Sequence, residues 1–317
     1  MIGIDGELGK SAELDRLDAM SVLLTVVKTG SFSAASRKLG VPVATVSRNI
    51  SDLETHLKTR VLIRSSRQMS LTDAGRSYVE ACKQILEKVE EAERVAAGEY
   101  AEPKGDLAIT SPEVFGRLHL LPVATEFMAV YPDINLRFIL SDRKVDLLAE
   151  SVDLAIRLGN LSDSSLIATR IGSIRIVICA SPAYLAAHGR PEKPEDLSDH
   201  DCVTFENLAS PVAWRFVSPQ GETIVPVRSR LTADSAEAAI GAAVAGIGLL
   251  RMHSYKVVEA KQSGKLELVL ETFEPEPWAV NMVYPGQGAL PLKLRAFLDF
   301  ATPRLKARLA DVSARLS

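Results

Sequence analysis

The sequence has few cysteines and no long apolar stretch. Its three cysteines, Cys82, Cys179 and Cys202, form no CxxC pair. An odd, scattered set does not make the disulfide framework of a small secreted protein, so we expect reduced thiols. The longest apolar run covers 13 residues, 238–250, whereas a membrane helix needs about 20. The N-terminus carries scattered acids where an export signal has a basic segment and an apolar core. These absences predict a soluble, cytoplasmic protein that does not insert into a membrane.

The sequence also lacks the residue patterns of an enzyme. Its five histidines show no metal-ligand spacing. The segment 246–248 reads GIG, without the third glycine of a dinucleotide loop or the lysine of a phosphate loop. We therefore expect no catalytic residue, metal or cofactor. Two alternatives of other classes stay open here: a solute-binding or enzymatic α/β protein with a fused helical module, and a nucleoid-type DNA binder without an effector.

Basic charge is concentrated near the N-terminus. The whole chain has 37 Lys and Arg against 40 Asp and Glu, a net charge of −3. Residues 28–76 contain nine basic and three acidic side chains, so nine minus three gives a local excess of +6. Because bases that neutralise phosphates release condensed counterions, this segment suits a polyanion. Charge alone does not decide the question, since charged runs commonly cover solvated faces.

Apolar spacing predicts two helices at the start of this basic segment. The first ends at Gly30, and Ser31 and Ser33 are N-cap types for a short second helix that ends at Gly40. A tight turn at such a glycine is typical of a helix-turn-helix pair. The predicted apolar face of the first helix consists of Leu17, Met20, Leu24 and Val27.

A third helix is predicted from about Val43 to Leu57. Its apolar residues share one face, while small and polar residues cover the opposite face. A recognition helix has this shape, because small residues let the backbone approach the major groove and polar residues reach bases and phosphates. Spacing alone leaves an ordinary solvent-exposed helix equally open. The apolar face comprises Val46, Ile50, Leu53 and Leu57, and the opposite side comprises Ala44, Thr45, Arg48, Asn49, Ser51 and Thr55.

A β-hairpin is predicted after the third helix. Two strand-like segments, residues 61–63 and 69–71, flank a polar turn that contains Arg64 and Arg67. A hairpin in this place is a wing, whose arginines would lie near the DNA backbone or a narrow minor groove. Thr72 is an N-cap type for a long helix that reaches about Ala97.

Residues 30–75 carry a series of motifs at fixed spacing. They are Gly30-Ser31-Phe32, Ala34-Ala35, Leu39-Gly40, Val46-Ser47-Arg48, Ile50, Leu53-Glu54, Leu62, Arg64 and Leu71-Thr72-Asp73-Ala74-Gly75. In order and spacing this stretch resembles the DNA-binding domain of LysR-type transcription regulators. It departs from the family at Pro42–Thr45, where members often carry polar residues, so the operator sequence does not transfer.

The resemblance implies a winged helix-turn-helix over residues 14–75 that binds double-stranded operator DNA. The residues that it places at the DNA are Ser31, Ser33, Pro42, Val43, Ala44, Thr45, Ser47, Arg48, Arg64, Arg67 and Thr72.

The long helix, placed at residues 72–97, has a heptad-like seam. Spacing alone leaves open an amphipathic helix that packs on its own domain. LysR-type regulators dimerise through a linker helix here and often pair dimers, so the resemblance implies a homodimer and a homotetramer. At about 1.5 Å per residue the helix would be roughly 39 Å long. The seam residues are Tyr78, Cys82, Ile85, Val89, Ala92 and Ala96.

Strand-like and helix-like segments alternate beyond a hinge-like stretch at residues 98–105. Such alternation predicts an α/β domain with a mostly parallel sheet. The predicted strands are residues 107–110, 134–140, 154–157, 175–180, 202–205 and 278–284, and the predicted helices include 115–131, 142–149 and 292–309.

Several segments resemble the LysR-type effector domain, which is itself similar to periplasmic solute-binding proteins. The segments are SPEVFGRLHLLP, YPDINLRFIL, VDLAIRLG, ICASPAYLAAHG and AVAGIGLL. The resemblance implies a two-lobed α/β domain over residues 106–317. Lobe I would hold residues 106–180 and 286–317, lobe II residues 181–285, and two strands would cross the hinge.

Five residues are predicted to bind the effector. In open α/β sheets, ligands bind beyond the carboxyl ends of strands, near helix N-termini. Each such residue alternatively caps a helix or lies in a solvated loop. The candidates are Ser111, which we rank first, Glu113, Arg157, Phe205 and Ser235.

The whole sequence thus predicts an α+β DNA-binding domain followed by an α/β effector domain. The predicted function is sequence-specific transcription regulation, modulated by a small molecule bound between two lobes. The expected partners are operator DNA, the effector and further copies of the chain, and the resemblance leaves RNA polymerase open as another.

Overall fold

The computed structural model describes residues 15–64, 69–96, 102–143, 145–147, 150–161, 166–208, 210–219, 221–286 and 290–316. Contacts divide the chain into two compact units, Met1–Ala101 and Glu102–Ser317. This division falls inside the stretch 98–105 that the sequence predicts as a hinge, of which residues 98–101 lie outside the described part. None of the described helices is long and apolar enough to cross a membrane.

Capping residues set the ends of the three helices that open the first unit. The Asp15 carboxylate accepts two backbone N–H groups at the start of the first helix, and the Ser31 hydroxyl accepts one at the start of the second. Gly30 and Gly40 end these helices with φ of +73° and +69°, a conformation that glycine adopts without strain. The helices are α1 (Arg16–Thr29), α2 (Phe32–Leu39) and α3 (Val43–Leu57).

A hairpin and a long helix complete the first unit. Strand β1 (Leu62–Arg64) pairs antiparallel with β2 (Met69–Leu71), and Leu62 lies opposite Leu71. The observed β1 begins one residue later than the predicted strand. Helix α4 (Asp73–Ala96) follows, and the Thr72 hydroxyl oxygen accepts the Gly75 N–H at 2.9 Å at its start.

The buried face of α1 is wider than the predicted one. Met20 is buried, and Leu24 and Val27 pack against the core, as predicted. Leu17 is 41% exposed, whereas Leu23, outside the predicted face, is completely buried. Helix α1 packs against α2, α3 and α4 together. Contact with three neighbours buries a wider and rotated face, which a single apolar stripe does not indicate.

The seam predicted along α4 is divided between two environments. Cys82 is fully buried in the core of the first unit, so its assignment to a dimer seam was wrong, and the half-buried Tyr78 packs against the same core. The cause is α1, which covers the first turns of α4 and draws their apolar side chains into the domain core. Ile85 is 39% exposed and Ala92 is exposed, which leaves an outward apolar stripe on the later turns.

The second unit alternates strands and helices. In chain order its elements are β3 (Gly105–Ser111), α5 (Glu113–Phe115), a π-helical turn (Gly116–Leu120), α6 (Leu121–Val130), β4 (Ile134–Leu140), β5 (Leu154–Leu158), β6 (Leu166–Ile174), β7 (Ile176–Ala180), α7 (Pro182–His188), a 3₁₀ helix (Pro194–Asp199), β8 (Asp201–Phe205), β9 (Ala213–Ser218), β10 (Gly221–Pro226), β11 (Arg228–Ala233), α8 (Ala236–Val244), β12 (Leu249–His253), α9 (Ser254–Gln262), β13 (Glu267–Val269), a 3₁₀ turn (Glu271–Phe273), β14 (Trp278–Pro285) and α10 (Leu292–Leu316).

Two mixed five-stranded sheets organise this unit into two lobes. The order in lobe I is β4-β3-β5-β14-β6, and in lobe II it is β11-β8-β12-β7-β13. The first three strands of each sheet run parallel, and the last two pair antiparallel. The hairpin of β9 and β10 forms a separate small sheet.

The predicted lobe boundaries were wrong at both crossings. Strand β7 belongs to the sheet of lobe II, and β14 belongs to the sheet of lobe I. The chain therefore crosses at Arg175, between β6 and β7, and again over residues 270–277. Sequence motifs marked these segments as strands, but the choice between sheets depends on pairing with strands about 70 to 120 residues away, which no local pattern encodes.

An ion-pair cluster joins the two crossings. Arg175 Nε donates to the Glu274 carboxylate at 2.6 Å, and Arg175 Nη2 donates to the Glu271 carboxylate at 2.8 Å. Hydrogen bonding to Glu274, more than to Glu271, raises the pKa of Arg175 above its ordinary value despite partial burial. Both connections between the lobes are thus held to each other at the hinge.

The helix predicted at residues 142–149 is absent from the described part of that stretch. The Ser141 hydroxyl accepts the Arg143 N–H at 3.2 Å. Arg143 also donates to both Glu150 carboxylate oxygens, at 2.8 and 2.9 Å. The serine bond competes with the helical hydrogen-bond pattern, and Val145 and Leu147 are buried instead in a small apolar cluster with Val283.

Candidate functional site

Helix α3 presents two chemically distinct sides. Val46, Ile50 and Leu53 are completely buried in the core of the first unit. Val43 is 44% exposed, and Arg48 is also exposed. The exposed surface thus begins with small side chains and continues with a cation and hydroxyl groups, as the sequence indicated. Pro42 and Ala44 are exposed as well, whereas Thr45 and Ser47 are half-buried.

Two polar side chains that the sequence did not mark as contacts within the domain fix α3 in place. The Asn49 amide donates to the Asp18 carboxylate of α1 at 3.1 Å. The Glu54 carboxylate accepts the N–H groups of Val61 and Leu62 at 2.9 and 3.1 Å, which connects α3 to the start of β1. The motif Leu53-Glu54 carried a signal for this contact, since a half-buried acid needs donors.

The remaining DNA-contact candidates lie at the N-terminus of α2 and around the wing. Ser31 and Ser33 are exposed, and the Ser31 hydroxyl caps α2. Thr72 is half-buried, and its hydroxyl donates to the Arg60 carbonyl oxygen at 2.8 Å, so it stabilises the base of the wing. The side chain of Arg64 and the whole of Arg67 lie outside the described residues.

A cleft of about 740 Å³ lies between the lobes of the second unit. This volume is within the range of small-molecule sites. Both lobes contribute apolar and polar side chains to its lining. The polar and charged residues of lobe I are Ser141, Asp142, Arg143, Asp146, Arg157 and Asn160, and lobe II contributes Phe205, Asn207, His253, Tyr255 and Lys256. We call it the main cleft. Two of the five predicted effector residues, Arg157 and Phe205, line it together.

Arg157 is a half-buried cation at the end of β5. Its guanidinium donates to the Val145 carbonyl oxygen, and no described carboxylate forms an ion pair with it. Burial lowers the pKa of Arg157. A charged donor in this setting can bind an acceptor from a ligand, because its backbone bond leaves other guanidinium N–H groups available.

Three lining residues that the sequence analysis missed lie together in lobe II. Burial raises the pKa of the Tyr255 hydroxyl and lowers the pKa of His253 to about 3, so both are neutral at physiological pH. The buried Tyr255 hydroxyl and both His253 ring nitrogens have no hydrogen-bond partner among the described residues. Lys256 follows at the first turn of α9. Their position at the end of β12 and just beyond it was the signal, since β12 runs parallel to β8, which ends at Phe205.

Aromatic contacts cross from one lobe to the other beside the main cleft. His253 lies 5.3 Å from Trp278 of lobe I, between ring centroids, and 6.0 Å from Tyr255. Tyr255 in turn lies 5.6 Å from Phe115 and 5.7 Å from His119, both of lobe I. The lining on the side of lobe II is therefore positioned by packing against lobe I.

A second, smaller cleft of about 320 Å³ includes two further candidates, Glu113 and Ser235. Ser235 caps α8 by accepting the Ala238 N–H at 3.4 Å, as the alternative interpretation of this residue expected. Across the same opening, Arg117 of lobe I forms an ion pair with Glu237 of lobe II. The predicted residues therefore divide between two neighbouring clefts that share Ser141, Asp142, Arg143 and Asn207.

Ser111, the first-ranked candidate, lies in neither of these clefts. It is 1% exposed, and its hydroxyl donates to the Pro112 carbonyl oxygen at 3.2 Å. Its neighbour Pro112 lines the main cleft instead. The helix start after β3 was correctly located, but the serine side chain faces the packed interior.

Comparisons with known proteins match both units. Residues 17–76 match the family described as bacterial regulatory helix-turn-helix protein, lysR family, and residues 101–306 match the LysR substrate binding domain. An uncharacterized HTH-type transcriptional regulator of Haemophilus influenzae is 33% identical over 281 residues, which cover 89% of this chain and 98% of that protein.

Solved structures of full-length regulators are similar to this chain. CrgA, a LysR-type transcriptional regulator from Neisseria meningitidis, gives a TM-score of 0.59 at 32% identity and covers 91% of this chain and 98% of that chain. AphB, the Vibrio cholerae virulence activator, gives a TM-score of 0.58 at 30% identity over 90% of this chain and 98% of that chain.

The fold and the two matched domains define a DNA-binding transcription regulator with a small-molecule-binding domain. The chain belongs to the LysR-type transcriptional regulator family. The presence of the second domain removes the alternative of a nucleoid-type DNA binder without an effector.

Proposed function

We propose that α3 and the wing bind operator DNA and that a small molecule in the main cleft changes this binding. The observation that carries the proposal is the cleft itself, whose walls come from both lobes and hold cationic, aromatic and unpartnered polar groups. A ligand that contacts both walls has a different affinity for different lobe arrangements. Such differential affinity is what couples a ligand to a distant site.

The DNA contact is proposed for the exposed side of α3. Val43 and Ala44 permit close approach of the helix to the major groove, and Arg48 supplies a charge-assisted donor. Ser31, Ser33 and the wing residues would contact the DNA backbone, which positions the helix without reading sequence.

We further propose that the protein acts by binding, without catalysis, and in the cytoplasm. The outward apolar stripe of α4 supports self-association into a homodimer and then a homotetramer, because exposed apolar stripes commonly mark protein contacts. RNA polymerase is the further partner that a transcription regulator would contact on DNA.

The test combines a cleft-blocking variant with operator titration. Ala168 lines the main cleft and is exposed, so Ala168→Trp fills the cleft without disturbing the core. Ala187→Trp, at an exposed position of α7 away from the cleft, is the matched control. Metabolites that raise the unfolding temperature of the wild type are titrated against operator binding by fluorescence anisotropy.

We expect a ligand that stabilises the wild type and Ala187→Trp but not Ala168→Trp. It should change the operator dissociation constant by about 5-fold to 150-fold, the range of typical allosteric coupling. If a ligand stabilises Ala168→Trp as well as the wild type, the main cleft is not its site. If a cleft ligand leaves operator affinity and footprint length unchanged, the regulatory part of the proposal fails.

A further inference from the structure

We propose that the main cleft binds a small organic acid, and that Lys256 is the residue that selects for its carboxylate. The inference rests on the proposed function, because it names the chemical class of the ligand that the main cleft would take.

Lys256 lines the main cleft as a cation without a counter-ion in the described structure. Its ammonium lies 4.5 Å from the centroid of the Phe205 ring and 5.9 Å from that of Tyr255. No carboxylate of the described residues forms an ion pair with it. The aromatic faces hold the ammonium by a cation–π interaction, which leaves its N–H donors free to bind an acceptor in the cleft.

The surroundings of Lys256 favour an added negative charge. Burial lowers the pKa of Lys256, and the carboxylates of Asp142, Glu113 and Glu237 only partly oppose that shift. A desolvated ammonium is costly unless a paired acceptor is present. A carboxylate bound to the ammonium would provide that acceptor and would raise the pKa of Lys256 again.

Two neutral polar side chains line the same wall of the cleft as Lys256. Tyr255 and His253 are 2% and 7% exposed, line the same cleft, and have no partner for the tyrosine hydroxyl or the imidazole nitrogens among the described residues. Buried polar groups in proteins are nearly always hydrogen-bonded. A carboxylate has about four acceptor positions, enough to accept from an ammonium, a hydroxyl and an imidazole N–H together.

The opposite wall explains why the ligand is organic. Leu158, Leu161 and Ala168 line lobe I with partly or fully exposed apolar side chains, which suit a hydrocarbon body and not an inorganic ion. Arg157, on the same wall, forms no ion pair with a described carboxylate, so it can bind a further acceptor of the ligand.

The experiment measures charge selectivity in the full-length chain. The probes are monocarboxylic acids of about five to ten carbon atoms, aliphatic and aromatic, each paired with its primary amide, a size that suits the cleft. Binding is measured by isothermal titration calorimetry to the wild type, Lys256→Gln, Lys256→Arg and Lys265→Gln. Lys265 is exposed and does not line the cleft, so its variant controls for net charge.

We expect at least one acid to bind the wild type and Lys265→Gln about 10-fold to 100-fold more tightly than its amide, as for hydrogen bonds to charged groups. Lys256→Gln should lose this preference, and Lys256→Arg should keep it. Unfolding temperatures of the variants establish that they are folded.

Three results would overturn the proposal: equal binding of acid and amide by the wild type, unchanged acid binding by Lys256→Gln, or no binding of any acid in the set. A neutral ligand that is blocked by Ala168→Trp and alters operator affinity would contradict the carboxylate class but leave the proposed function intact. An acid that binds through Lys256 without altering operator affinity or footprint length would support the carboxylate class but contradict the proposed regulatory function.

Discussion

At the scale of single residues, Arg48 is the side chain most directly tied to DNA binding. It is exposed on α3, on the side opposite the buried Val46 and Ile50. We predict that Arg48→Ala weakens operator binding by about 1–3 kcal/mol and leaves the unfolding temperature unchanged, because no core contact is lost. Fluorescence anisotropy on a promoter fragment measures this. Arg295→Ala, an exposed arginine of α10, is the control and should bind like the wild type.

If Arg48→Ala and Arg295→Ala bind the operator equally well, α3 does not contact DNA through Arg48. A loss of the folded state in Arg48→Ala would instead show that the side chain supports the domain.

Gly75 is a residue whose identity is dictated by packing. A Cβ atom there would lie 2.0 Å from the carbonyl oxygen of Val61, so α4 approaches β1 more closely than any side chain permits. We predict that Gly75→Ala destabilises the first unit by about 1–3 kcal/mol or more, the usual cost of overpacking. Gly241→Ala is the control: that helical glycine has open space around it, so alanine should stabilise by roughly 0.5–1 kcal/mol. Urea unfolding distinguishes the opposite signs, and a stable Gly75→Ala would refute the close contact.

The titration of His119 makes the free energy of unfolding depend on pH. Burial, assisted by Arg308, lowers the pKa of His119 from 6.5 to about 4, and both ring nitrogens lack partners in the described structure. Between these two pKa values the folded protein binds fewer protons at this histidine than the unfolded chain does. The contribution of His119 to the free energy of unfolding is therefore fully present above pH 6.5 and falls as the pH drops toward 4. His119→Leu should reduce that slope by up to about 1.4 kcal/mol per pH unit.

The measurement is urea unfolding of the wild type and His119→Leu at a series of pH values. Above the ordinary histidine pKa the variant should be as stable as the wild type or more so, since an unpartnered buried polar group is removed. Identical slopes in the two proteins would mean that His119 does not titrate in this range.

At the scale of elements, α4 serves two functions along its length. Its first turns belong to the core of the first unit, and its later turns present Ile85 to solvent. We predict that Ile85→Asp abolishes self-association, because a charge would be buried unpaired in the contact. Analytical ultracentrifugation measures the mass. Gln84→Asp adds the same charge next to the stripe, at an exposed position, and should leave the assembly intact.

An Ile85→Asp protein with the mass of the parent assembly would reject the stripe as the contact. Equal dissociation of both variants would indicate a general charge effect on α4.

The helices also show which features a local sequence pattern can predict and which it cannot. The ends of α1 and α2 follow from Gly30, Ser31 and Gly40, because caps and left-handed glycines act within a few residues. The stretch 142–149 has helix-like spacing, yet none of its described residues is helical, and Val145 and Leu147 pack against Val283 instead. Local periodicity does not indicate such contacts with residues far along the chain.

At the scale of the whole molecule, two distant chain segments contact each other at the hinge between lobes I and II, where Arg175 meets residues 270–277. Arg175 connects to Glu274, whose side chain is 12% exposed, and to the more exposed Glu271. We predict that Arg175→Ala destabilises the second unit by about 1–3 kcal/mol, since it leaves a nearly buried carboxylate unpaired while solvent screens the rest. Arg175→Lys should be intermediate, because lysine keeps the charge but not the two-pronged geometry.

Thermal unfolding of the three proteins measures this order, with Arg215→Ala as the control for an exposed pair at 3.5 Å with Glu222. The hinge cluster would be energetically unimportant if Arg175→Ala and Arg215→Ala behaved alike.

The sequence by itself determined the two-domain organisation, the helix-turn-helix and the surface of α3, because these depend on motifs and spacings within short stretches of chain. Arg157 and Phe205 were found in the same way, as residues at strand ends. Only the tertiary structure decided that Ser111 points into the interior, that Tyr78 and Cys82 belong to a domain core, and that Lys256 faces the cleft. The physical reason is that burial and strand pairing depend on partners far along the chain, and residue order alone does not specify those partners.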